Sequence, residues 1–129
     1  MNKEELIEYA KDLKMHQGYN CAQAITCALK EETNLSEEEL KSLGAGFCAG
    51  MGNLKATCGA LIGANIILGL KTKGESTLIL SKQLIERFEE LSGAIVCKDL
   101  KTITNGKPLC PCDKCVENAM KAYLEITSK

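Results

Sequence analysis

The stretch from Ala56 to Leu70 most constrains how this chain folds. It is apolar almost throughout and carries three glycines, Gly59, Gly63 and Gly69. At about 15 residues it is too short to span a membrane, which takes about 20. A helix apolar on all sides is normally buried at the centre of a domain. The rest of the chain must then supply amphipathic elements to cover it. With 129 residues there is room for one domain over residues 1–129 and not for two ordinary ones. A domain of this size buries roughly two-thirds of its unfolded surface. It therefore owns a core without needing cross-links.

Helical signals flank the central stretch. Asn2 with Glu5, Asn20 with Gln23, and Ser36 with Glu39 are spaced as reciprocal capping boxes. Leu6, Ala10 and Leu13 recur at helical spacing, as do Leu80, Leu84, Phe88 and Leu91. Gly93 is placed to close the latter helix. Gly44 to Asn53 forms a glycine-rich loop, Thr102 to Pro111 a turn-rich one, and a last helix covers residues 113–126. Gly59, Gly63 and Ala64 make a small-residue face that permits close helix crossing. Short apolar runs around Ile79 and Ile95 find no alternating partner and are not read as strands. The expected fold is an all-α, single compact bundle of five to six helices around the central helix, residues 57–71.

Composition excludes several functions. Sixteen basic residues against 17 acidic ones leave no basic footprint for nucleic acid, and aromatics for base stacking are few. No strand precedes Gly44-Ala45-Gly46, so a phosphate-binding loop is not expected. Its glycines read instead as a turn folding over the Cys58 region. His16 is the only histidine and reads as a surface residue. No Ser-His-Asp set or carboxylate pair supports hydrolysis. No apolar segment follows Met1 as a secretory signal would require, so a cytoplasmic location without direct membrane insertion is expected.

In a reducing compartment, eight cysteines point to metal or redox chemistry before structural disulfides. They are Cys21, Cys27, Cys48, Cys58, Cys97, Cys110, Cys112 and Cys115. Only Cys112 and Cys115 form a C-x-x-C pair, which weakens a zinc-ribbon reading. Cys21, Cys58 and Cys112 fall at or near helix starts, where unpaired N–H groups favour thiolate. Four thiolates from separate segments suit an iron–sulfur cluster and equally a tetrahedral zinc. Gly59 beside Cys58 is the candidate cofactor-binding residue, because it lets backbone approach and donate N–H to a sulfur. Cys27 lies on an apolar helix face and reads as core. Cys48, Cys110 and Cys115 are accessory thiols.

The segments Gly18-Tyr19-Asn20-Cys21-Ala22-Gln23-Ala24, Gly50-Met51-Gly52 and Cys58-Gly59-Ala60-Leu61-Ile62-Gly63 resemble the redox-active proteins named for their C_GCAxxG_C_C pattern. Phe88, Gly93, Cys97-Lys98-Asp99-Leu100 and a cysteine just before the final helix extend the resemblance to nearly the whole chain. It implies a small helical protein with four characteristic cysteines, often found near transporters. Cys21, Cys58 and Cys97 correspond to three of them. The register with Val116 selects Cys112 as the fourth, with Cys115 as the alternative.

The leading expectation is an electron carrier rather than a substrate-transforming enzyme. Cys21, Cys58, Cys97 and Cys112 would bind an iron–sulfur cluster of two or four irons and serve a redox protein partner. A membrane transporter system is one candidate setting and a homodimer the candidate assembly. One alternative is metal-free thiol–disulfide chemistry between Cys112 and Cys115, with Cys110 or Cys97 resolving. The other is a zinc-binding structural or sensor module.

Overall fold

The computed structural model describes residues 1–128, with Thr104 described by its backbone alone. Lys129, the last residue of the expected domain, lies outside the described residues. Among the described residues seven α-helices follow one another: α1 Lys3–His16, α2 Cys21–Ala28, α3 Glu37–Gly44, α4 Gly59–Thr72, α5 Thr77–Ser92, the single turn α6 Cys97–Leu100, and α7 Cys112–Thr127. The fold is an all-α bundle. A two-residue hairpin, β1 Ile103–Thr104 with β2 Lys107–Pro108, decorates the loop before α7.

Local chemistry starts the first three helices. Asn2 Oδ1 accepts from the Glu5 amide at 2.8 Å, and Glu5 Oε1 accepts from the Asn2 amide at 3.0 Å. The Asn20–Gln23 box repeats this at 2.8 and 3.0 Å, and the Ser36–Glu39 box at 3.1 and 2.9 Å. Each box satisfies donors that a helix start leaves orphaned.

The core differs from a single helix wrapped by the others. In α4, Ala60, Leu61, Ala64, Ile67 and Leu68 are buried, but Ile62 and Ile66 stay half-exposed. The centre is shared with α2, in which every residue except Gln23 is buried, and with Cys115 to Met120 of α7. Gly63 makes this sharing possible: a Cβ there would stand 2.8 Å from the Ala22 carbonyl oxygen. Only a residue without a side chain lets α4 approach α2 so closely.

One boundary also differs from expectation. Helix α4 starts at Gly59 because Thr57 is engaged in an isolated antiparallel bridge with Val96. The apolar run around Ile95 thus does find a partner, in the segment before Cys58. The run around Ile79 is helical, as expected.

Glu117 of α7 sits in the seam with α1, its side chain 12% exposed, and is ringed by lysines. Lys11 lies 2.9 Å away, Lys121 3.0 Å and Lys114 3.3 Å. Lys11 first, then the other two, holds its carboxyl down to about 2, against the opposing effect of burial. A lowered carboxylate contributes stability above its ordinary value of 4.5, and that stability is lost as pH falls through about 2. Glu117→Gln is expected to cost about 1–2 kcal/mol at neutral pH, as a partly solvated network allows. It should also flatten the stability curve between these two pH values. Acid-unfolding curves of equal slope for the two proteins would refute this role.

Candidate functional site

The antiparallel bridge between Thr57 and Val96 ties together the two segments that carry Cys58 and Cys97, each cysteine directly following a bridge residue. The Cys58 amide donates to the Ile95 carbonyl at 2.7 Å, and the Cys97 amide to the Ala56 carbonyl at 3.0 Å. Cys58 is then the N-cap of α4, and Cys97 is the first residue of α6. Cys21 opens α2 and Cys112 opens α7. All four expected site cysteines therefore stand at helix starts. Cys97 lies near Cys58 and Cys112, and Cys21 lies against Cys112 with Cys58 further off.

Lys101 stands among them. It is half-buried, with Nζ 3.0 Å from Cys112 Sγ. Burial works against its charge. The sulfurs of Cys112, Cys115 and Cys21 outweigh burial and hold its pKa above the ordinary lysine value. No motif marks Lys101 in the sequence. One signal could have found it: it follows Cys97 by four residues, one helical turn on.

The thiols share protons unequally. Cys112 is pulled down to about 5, first by the Cys21 thiol beside it and then by Lys101, against desolvation. Cys21 is pushed up correspondingly by Cys112 and by burial. A second group lies deeper. Cys115 Sγ is 3.3 Å from Cys110 Sγ and 3.4 Å from the Cys110 carbonyl oxygen, and its thiol also pairs with Cys58. Cys58 falls to about 7, chiefly through Cys115, with the amides of Ala60 and Leu61 and the charge of Lys101 assisting. Cys110 also falls to about 7, through Cys115 and the Ser92 hydroxyl. Cys115, whose proton both neighbours use, is pushed up strongly. Cys112 thus faces Cys21, while Cys115 faces Cys110 and Cys58.

The remaining residues take different places. Gly59 admits the Phe47 carbonyl, which would stand 2.3 Å from a Cβ there. The amides that serve the Cys58 sulfur belong to Ala60 and Leu61 rather than to Gly59. The glycine loop folds over the site as expected: a Cβ on Gly50 would lie 2.9 Å from Cys97 Cβ. Ala49, Met51 and Leu54 of this loop all adopt left-handed backbone, a costly conformation for side-chain-bearing residues. Cys48, half-exposed, borders the site through Cys97. Cys27 is fully buried in the core, and His16 is an exposed partner of Asp12.

The family model described as "Putative redox-active protein (C_GCAxxG_C_C)" matches residues 19–126. The chain belongs to this C_GCAxxG_C_C family. The match runs from just before Cys21 to the end of α7 and contains every cysteine of the cluster. Comparison with curated proteins and with solved structures gives no significant match. No helix among the described residues is long and apolar enough to cross a membrane.

Could these residues hold an iron–sulfur cluster? The donors are of the right type, since such clusters take cysteine thiolates, four in the common case. Three of the four lie at the starts of helices of eight residues or more, whose dipoles favour negative charge. Lys101 adds a cation. Cys21 meets Cys112, whereas Cys58 meets Cys115. Among the described residues no group of three or more His, Cys, Asp or Glu is set to hold a metal ion.

Proposed function

We propose that this C_GCAxxG_C_C protein is a one-electron carrier of a reducing, cytoplasmic setting. Cys21, Cys58, Cys97 and Cys112 hold a small iron–sulfur cluster in this reading. The observation that carries it is the meeting of four helix-start cysteines around one half-buried lysine. The bound cluster would supply reversible one-electron chemistry. The chain's own residues do the rest. Lys101 balances negative charge, and the Ala60 and Leu61 amides stabilise the Cys58 sulfur. The loop of residues 45–54 shields Cys58 and Cys97 from water. No substrate pocket is required, because the partner is another redox protein.

Anaerobic reconstitution of the full chain with iron and sulfide tests this. The expected product is coloured, with about two to four irons per chain and matching sulfide. Cys58→Ser should lose the most iron, since Cys58 is the ligand held by both helix amides and bridge. A chain that stays colourless and iron-free after reconstitution would overturn the proposal.

One observation favours a second reading, metal-free thiol–disulfide exchange. Cys112, a thiolate at neutral pH, lies against the Cys21 thiol, which makes Cys21 rather than Cys115 its natural partner. Under this reading the colourless protein would cycle between a dithiol and a Cys21–Cys112 disulfide.

A further inference from the structure

Cys110 and Cys115 lie outside the four-cysteine set, and neither the proposed cluster nor the Cys21–Cys112 exchange uses them. Both are buried, at 3% and 0% exposure. Their sulfurs are 3.3 Å apart, the closest approach of two sulfurs described in this site. A disulfide needs about 2.05 Å, so a small rotation of either side chain closes the gap. Their surroundings are built rather than incidental. Asn118 Nδ2 donates to Ser92 Oγ at 2.9 Å and approaches Cys110 Sγ at 3.8 Å. Ser92 and Asn118 are themselves buried, at 5% and 7% exposure. The Cys110 amide donates to the Leu100 carbonyl at 2.9 Å and the Cys115 amide to the Pro111 carbonyl at 2.9 Å, which anchors both backbones. Such anchoring keeps two sulfurs within reach of each other.

We propose that Cys110 and Cys115 form a second redox couple, independent of metal, that a hydroperoxide closes to a disulfide. The chemistry balances. The two S–H bonds and the O–O bond break, and one S–S bond forms. Both thiol hydrogens pass to the peroxide oxygens. Two electrons leave the sulfurs and reduce the peroxide, giving two waters from hydrogen peroxide or an alcohol and a water from an organic hydroperoxide. A small oxidant is the fitting one, because the pair is buried while its neighbours Leu109 and Pro111 are exposed. Closing the bond also withdraws the Cys115 thiol from Cys58, so the couple reports its state directly to the four-cysteine site.

The test uses the full, metal-free, reduced chain, so its result is separate from whether iron binds. One equivalent of hydrogen peroxide is added without air, remaining thiols are capped with iodoacetamide, and the protein is cut with trypsin. Cleavage after Lys101, Lys114 and Lys121 places Cys110 on peptide 102–114 and Cys115 on peptide 115–121. The expected result is loss of two of the eight thiols and a linked pair of these peptides, two hydrogens lighter than their sum. Fragmentation should put the bond on Cys110. Cys112→Ser should retain the link and Cys110→Ser should abolish it, with circular dichroism confirming that both variants fold. A link through Cys112, a Cys21–Cys112 bond in its place, or no linked pair would overturn the proposal.

Discussion

At pH 6, Cys112 of the reduced, metal-free Lys101→Met variant is expected to alkylate roughly tenfold more slowly than in the parent. A cation in contact lowers an acidic group by about 1–3 units. Removing one that stands 3.0 Å from Cys112 Sγ should therefore raise Cys112, now at about 5, by about 2 units. The thiolate is the reactive form, so the midpoint of its rate-against-pH profile moves up by the same amount. Lys101→Arg keeps the charge and should leave the midpoint near its parent value. Cys21 supplies the larger part of the depression, so the variant is not expected to reach the ordinary cysteine value. An unchanged profile in Lys101→Met would show that the lysine only fills space. The same substitution removes the cation that offsets cluster charge, so reconstituted Lys101→Met should also hold iron less tightly.

Gly59→Ala is expected to destabilise the protein by about 3 kcal/mol, the upper end of overpacking penalties. For a domain of this size the melting temperature should fall by about 10 °C. The added Cβ would stand 2.3 Å from the Phe47 carbonyl, a backbone atom that cannot swing aside. The loop over the site would have to move, and its contact with Cys97 through Gly50 would move with it. Cys58 and Cys97 should then alkylate faster in the folded variant. Gly69→Ala, on the same helix, is the control. A Cβ there meets nothing within 4 Å, and replacing a helical glycine by alanine is worth up to about 1 kcal/mol of added stability. Equal effects at the two glycines would remove the argument that Gly59 is a packing residue.

Sequence reading went furthest where the physics is short-range. A capping box couples a residue to the one three positions on, so Asn2–Glu5, Asn20–Gln23 and Ser36–Glu39 could be read directly and are formed. Glycines at contacts were also visible as a small-residue face. What they touch was not: Gly63 meets Ala22, and Gly59 meets Phe47. The bridge between Thr57 and Val96 escaped because its two sides are 39 positions apart and each is too short to alternate. The loop over the site was legible, but not its backbone, because Ala49, Met51 and Leu54 take left-handed conformations that ordinary residues do not advertise.

The cysteines show the same division. The long helices, and Cys21, Cys58 and Cys112 at or near their starts, were legible in the chain because caps, periodicity and family spacing are local; that Cys97 opens a helical turn of its own was not. Only the tertiary structure decided which sulfur meets which. Cys112 neighbours Cys115 by C-x-x-C spacing, yet it faces Cys21 from α2. Cys115 turns inward to Cys110 and Cys58. Proton sharing depends on ångström-scale separations between sulfurs carried by α2, α4 and α7 and on the cation of Lys101. Those separations come from the packing of the helices, not from the order of the residues.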